Sequence, residues 1–336
     1  MADFGENPDQ GKFWNEEPGL SWVENDRLMS ERLETISQLL LDNLDLRPSG
    51  RILDIGCGGG GTTLALAKRA PPSAQITGLD ISKPLLDLAA QKCADHENIN
   101  FVLADAQAHR FALQKFDTVI SRFGVMFFEN PVKAFQNIKS ALTVEGRLHF
   151  VCWAPLEENE FFYAPLQAAL QHTDQPFIAP GRAPGPLAFS DAAYLRSLLE
   201  EAGFQQIEIA KTPTQVTTKD SPEEDAKLLM QIGLATRIMT LAEMGEAERA
   251  EVFRSMLAQS AARQKDGKIS YDATIYIVAA RLKNRCKTRQ SQVTMGRYLL
   301  PPSEHGTRLQ NRQNHRLQSP RAYRPLNPDN IADYAK

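Results

Sequence analysis

Asp54 stands two residues ahead of a glycine run, Gly56-Cys57-Gly58-Gly59-Gly60-Gly61, and this pairing suggests a binding chemistry. Glycines allow a tight turn and let the backbone come close to a ligand. The apolar run Arg51–Ile55 in front of them reads as a strand, and Thr62–Arg69 behind them as a helix. A helix N-terminus presents free N–H groups and partial positive charge, which suits a carboxylate or a phosphate. The spacing Gly56-x-Gly58-x-x-Gly61 also fits a dinucleotide fingerprint. A dinucleotide site usually has an apolar residue where this chain has Asp54, and a carboxylate there suits a ligand that carries positive charge. Cys57 reads as a small filler of the loop, not a nucleophile.

The elements needed to hold this loop follow in rhythm. Short apolar runs at Gln75–Leu79, Phe101–Ala104, Phe116–Ser121 and Arg147–Trp153 continue from the first. Helical stretches separate them: one capped by Ser82, another over Val132–Leu142. Strands buried on both faces read as continuous apolar runs, so the alternation predicts a parallel sheet between helices. Upstream, Leu28–Leu44 has apolar residues at helical spacing. Downstream, 154–172 read as helical, 173–189 as a proline-containing loop, and Ser190 as the cap of a helix ending at Gly203. A strand at Ile207–Ala210, helices over 222–262 and a last strand at Ala273–Ala280 complete the pattern. The expected fold is α/β, a Rossmann-like doubly wound sheet of seven strands, mostly parallel with an antiparallel last strand. One domain is expected over 1–284, with its core at 45–153 and 190–282 and helical insertions at about 154–189 and 222–262. Residues 285–336 read as a basic, disordered tail.

Asp54-Ile55-Gly56-Cys57-Gly58-Gly59-Gly60 closely resembles the first motif of the class I, seven-strand methyltransferases that use S-adenosylmethionine (SAM). SAM carries an ammonium, a sulfonium and a carboxylate, matching the charges inferred for the loop. The resemblance implies that Asp54, Gly56, Gly58 and Gly60 cradle the cofactor. It implies that Asp80, followed by Ile81, holds the ribose hydroxyls. Asp105, followed by Ala106, would accept a hydrogen bond from the adenine amino group. Phe116–Ser121 resembles the fourth strand, whose end at Ser121 borders the methyl group. The Thr143-Val144-Glu145-Gly146 stretch departs from the Pro-Gly-Gly turn usual before the fifth strand. Ser121–Phe128 with the 222–262 insertion resembles bacterial small-molecule methyltransferases near the quinone-biosynthesis type. That implies a small, partly apolar acceptor.

On the acceptor side the residues speak more softly. In open parallel sheets ligands sit beyond the carboxyl ends of the strands. This places Arg122 to orient an anionic or carbonyl group, with Phe127 and Phe128 as candidate pocket walls. Phe161-Phe162-Tyr163 has the same character, and Trp14 and Trp22 are candidates for a lid or for ordinary packing. An activated methyl moves by in-line displacement governed by alignment, so no nucleophile is required. No general base stands out, and His149 reads as a core or surface residue inside a strand. No catalytic residue and no metal site is assigned. A nicotinamide-dependent oxidoreductase shares the glycine spacing, although no Tyr-x-x-x-Lys pair is evident near the fourth or fifth strand. A non-catalytic SAM-binding regulator is the other alternative, with its tail touching RNA.

Composition bounds these readings. The 336 residues are 42% hydrophobic and 24% charged, as in ordinary globular chains. No apolar run approaches the roughly 20 residues of a membrane span. The acidic, polar start does not fit a secretory signal, and four scattered cysteines suit a reduced, cytoplasmic setting. Residues 281–336 hold 12 Lys+Arg against 3 Asp+Glu, leaving 26 against 38 in the preceding body. An acidic body makes nucleic acid an unlikely main partner. The tail has few aromatics for stacking. A small-molecule substrate is the expected partner.

Overall fold

A computed structural model describes residues 7–47 and 50–282. The boundary expected at 284 and the tail at 285–336 lie outside these residues. Four short helices come first: α1 (Pro8–Asn15), α2 (Glu17–Glu24), α3 (Asp26–Arg32) and α4 (Glu34–Asp42). The alternating part follows as β1 (Arg51–Ile55), α5 (Gly61–Arg69), β2 (Gln75–Asp80), α6 (Lys83–Lys92), β3 (Ile99–Leu103), β4 (Phe116–Arg122), α7 (Pro131–Ala141) and β5 (Leu142–Trp153). Then come α8 (Glu160–Leu170), α9 (Ala192–Glu201), β6 (Gln205–Thr218), α10 (Pro222–Leu229), α11 (Gly233–Leu241), α12 (Glu246–Arg263), β7 (Gln264–Lys265) and β8 (Lys268–Arg281).

The sheet runs β3-β2-β1-β4-β5-β8-β6. β1 to β5 pair in parallel, and β8 is antiparallel to both β5 and β6. The fold is thus the Rossmann-like doubly wound sheet expected, with one strand more. The eighth is the two-residue β7, which makes a tight hairpin with β8. Ile52, Leu53, Ile55, Val119 and Ile120 are each 2% exposed or less, the double-sided burial that continuous apolar strands require.

Four local expectations are corrected. Leu28–Leu44 is two helices that break at Leu33, next to the point where Arg32 turns inward. Thr143–Gly146 is not a turn but the beginning of β5, and a register shift between Phe116 and Thr118 absorbs the extra residues. Asp191, not Ser190, caps α9, its carboxylate accepting from Ala193 N and Tyr194 N. β6 is 14 residues long, far beyond Ile207–Ala210. It is an edge strand with one solvated face, so its polar residues concealed it, and Pro213 is tolerated within it.

Inside β5, His149 pairs with Ile120 and Ala279. It is 6% exposed, and neither ring nitrogen has a hydrogen-bond partner. Burial, helped by Arg147 and Arg281, pulls its pKa from 6.5 to about 4. The imidazole is therefore a neutral core group in the fold and a titrating base in the unfolded chain. Its contribution is fully present above pH 6.5 and is lost as pH falls toward 4. Linkage sets that loss at about 3 kcal/mol. Denaturant titrations at pH 7.5 and 4.5 should show a smaller acid loss in His149→Leu than in the wild type. Equal losses in the two proteins would contradict the assignment.

Candidate cofactor site

Three carboxylates, at the ends of strands β1 and β2 and just past β3, surround the glycine loop. Gly56 N and Cys57 N both donate to Leu79 O, at 2.8 and 3.2 Å, so the loop folds back over β2. Gly58 N donates to Asp80 Oδ2 at 2.7 Å, and Ser82 N donates to Asp80 Oδ1 at 2.8 Å. Gly56, Gly58 and Gly60 have φ of +66°, +53° and +78°, a region that side chains rarely enter. Their surroundings differ. A Cβ on Gly56 would lie 2.6 Å from Gly124 Cα, and one on Gly60 would lie 2.9 Å from Ala89 Cβ. A Cβ on Gly58 would meet nothing within 4 Å. Gly58 is the one of the three whose Cβ direction is open, the side from which a ligand can approach.

Asp54 is 1% exposed, and its Oδ2 accepts from Thr63 Oγ1 at 2.7 Å. Its Oδ1 has no protein partner. Burial raises its pKa to about 7, while the Thr63 hydroxyl and the Arg122 charge oppose that rise. A cation set against Oδ1 would hold this carboxylate ionised. Asp80 is likewise pushed up by burial and pulled back by the N–H groups it accepts. Asp105 accepts from Gln107 N at 2.9 Å and is buried together with Ala106.

The other expected site residues separate into two groups. Ser121 Oγ donates to Ile55 O at 2.7 Å and accepts from Gly124 N and Val125 N. It is a staple: it ties the end of β1 to the 3-10 turn Gly124–Phe127, where Gly56 and Gly124 cross backbone to backbone. Phe128 is 8% exposed and packs edge-on against Phe135, so it belongs to the core. Phe127 is half-buried, with its ring 5.2 Å from Trp14. Arg122 donates to Ser37 Oγ on α4 at 2.9 Å.

Sequence reasoning missed the part played by the N-terminal helices. Ser82 Oγ donates to Trp14 O at 2.7 Å, and Asn15 Nδ2 donates to Ile81 O at 2.9 Å. Asn15 Oδ1 accepts from Lys83 N. Asp26 pairs with Lys92, whose Nζ also donates to Gly59 O at 3.0 Å. These contacts dock α1 to α3 against the ends of β1 and β2. Trp14 and Trp22, expected as lid or packing, are 6.0 Å apart within this cover. The cover residues carry no local pattern, because their partners lie about 65 residues or more away.

The sheet order, the loop and the acidic strand ends define a class I methyltransferase domain, and residues 52–146 match the family model described as a methyltransferase domain. The curated relatives it matches are demethylmenaquinone methyltransferases of Staphylococcus aureus, 28% identical over 122 residues. That match covers 36% of this chain and 51% of the relative, so the chain spans about half the length of those relatives. Among solved structures, the YcgJ protein of Bacillus subtilis shares the fold with TM-score 0.50 and 19% identity, over 74% of this chain and 99% of that one. A Haemonchus contortus phosphoethanolamine N-methyltransferase bound to S-adenosylhomocysteine aligns at TM-score 0.45 and 17% identity, over 74% of this chain and 53% of that one. The class uses SAM as methyl donor, and the residues present fit it. Asp54 Oδ1 is a buried acceptor without a partner, and Gly58 opens onto free space. No helix among the described residues is long and apolar enough to cross a membrane.

Proposed function

We propose that this protein transfers the methyl group of SAM to a small, partly apolar acceptor. The observation that carries the reading is the loop itself: positive-φ glycines, one open face, and acidic residues at the ends of β1 and β2. Asp54 would hold the cationic amino-acid end, Asp80 the ribose and Asp105 the adenine, with Ile81 and Ala106 as flanking contacts. When bound, the cofactor supplies a methyl already activated by a sulfonium. The chain's own task is then to align the acceptor and keep water out. Phe123 supports an apolar acceptor. Its backbone is left-handed at φ +66°, rare for so bulky a residue, and its ring stacks 4.3 Å from Trp153. Phe162 packs edge-on against that Trp153 at 5.0 Å. The relatives' name, demethylmenaquinone methyltransferase, agrees with an acceptor that presents a flat ring. Phe127 and Arg122 stay candidates for the acceptor wall and for charge in the site.

Calorimetry with SAM and with NAD tests the reading, since tight NAD binding without SAM binding would favour the oxidoreductase. Asp80→Ala supplies a second measurement. It removes the partner of Gly58 N as well as the ribose contact. SAM affinity should fall about tenfold to a hundredfold, with the melting temperature nearly kept. Unchanged affinity in a folded variant would contradict the role of Asp80.

A further inference from the structure

Asp54 and Arg122 lie on the same face of the sheet. Asp54 pairs with Ile120 across β1 and β4, and Arg122 is two residues further along β4. Paired residues in a ladder share a face, and so do residues two apart along a strand. α5 and α4 meet this face, through Thr63 and Ser37 respectively. Each of the two charged groups is incompletely matched. Asp54 has an unpartnered Oδ1. Arg122 is partly buried, and its one side-chain hydrogen bond is to Ser37, although a guanidinium has five N–H donors. Among the described residues, no carboxylate lies within ion-pair distance of Arg122.

The nearby acids do not fill this role. Asp26 is tied to Lys92, and Glu34 is tied to Gln38. Asp54 and Arg122 sense each other's charge, yet they do not touch. A buried cation without a counter-ion is expensive to keep and marks a place for an anionic ligand group. Beside it stands a buried carboxylate with a free oxygen. An acid and a base side by side, neither satisfied, complement an α-amino acid zwitterion.

We propose that Asp54 and Arg122 together form the receptor for the amino-acid end of the cofactor, Asp54 taking its ammonium and Arg122 its carboxylate. This moves Arg122 from the acceptor to the donor side and moves the carboxylate from the helix N-terminus to a side chain. It rests on the reading that SAM is the methyl donor. Bidentate recognition of a carboxylate is what the planar guanidinium does best.

The test uses two ligands of the full-length protein, S-adenosylhomocysteine and its decarboxylated form, which keeps the ammonium. In Arg122→Met, affinity for S-adenosylhomocysteine should fall at least tenfold, to about the level of the decarboxylated ligand. Affinity for the decarboxylated ligand should stay within about twofold. Equal losses for both ligands would make Arg122 a structural prop and overturn the proposal. No loss for either would overturn it too, and would return the guanidinium to the acceptor side. If Arg122→Met does not fold, Ser37→Ala keeps the test open. It frees the guanidinium from its one anchor and should weaken only the carboxylate-bearing ligand, whereas no such selectivity would overturn the proposal. Wild-type protein that binds neither ligand would instead refute the donor reading itself, and the receptor with it.

Discussion

Gly58→Val should reduce SAM affinity about a hundredfold or more while the protein stays folded. Two effects act together. The backbone at φ +53° disfavours a β-branched residue by about 1–3 kcal/mol. The new side chain would also fill the space where a Cβ now meets no protein atom within 4 Å. Because that space is open, the substitution breaks no packing inside the protein, unlike the same change at Gly56 or Gly60. SAM calorimetry and circular dichroism on one sample decide the matter. Retained affinity would mean that the loop does not cradle the cofactor. Gly58→Ala should fall between the two proteins, since it brings the strain with less bulk.

The largest loss of stability is expected at Asp225. Arg32, 1% exposed, donates to Asp225 Oδ1 at 2.8 Å and to Asp220 Oδ2 at 2.7 Å. The other oxygen of Asp225 accepts from Ser260 Oγ at 2.7 Å and from the Tyr271 hydroxyl. This cluster joins α3, α10, α12 and β8, fastening the N-terminal cover to the helical insertion and the sheet. Asp225→Ala would leave a buried guanidinium with one carboxylate and would leave two hydroxyls without their acceptor. Breaking such a pair costs about 3–5 kcal/mol. For a body of this size that corresponds to a fall of roughly 6–20 °C in melting temperature. A fall of less than about 2 °C would show that Arg32 is satisfied without Asp225.

The glycine loop, the first five strands and the helices between them could be read from the sequence because their signals are local. A carboxylate two residues before a glycine run and a strand running into a helix each occupy a dozen residues. What escaped is long-range. The Arg32–Asp225 pair spans 193 residues, and the Asp26–Lys92 pair 66. No periodicity announces such partners. β6 was shortened because an edge strand has one wet face and resembles a loop in composition. Ser121 was placed near the methyl group from its strand end alone. Its three hydrogen bonds to backbone become visible only when the turn after β4 is seen crossing the loop after β1.

That crossing has a consequence for how this architecture can diversify. At Gly56 and Gly124 neither backbone has room for a Cβ, so the centre of the site is closed to new side chains from either strand. A change in acceptor preference must then be written around the crossing. The segments free to carry it are the N-terminal helices, residues 154–189 and the three helices between β6 and β7. The ladder does not set their lengths, so insertions there leave the donor loop undisturbed. The methyl-donor half of the molecule is therefore fixed by geometry, and the variety available to this chain's descendants lies in its periphery.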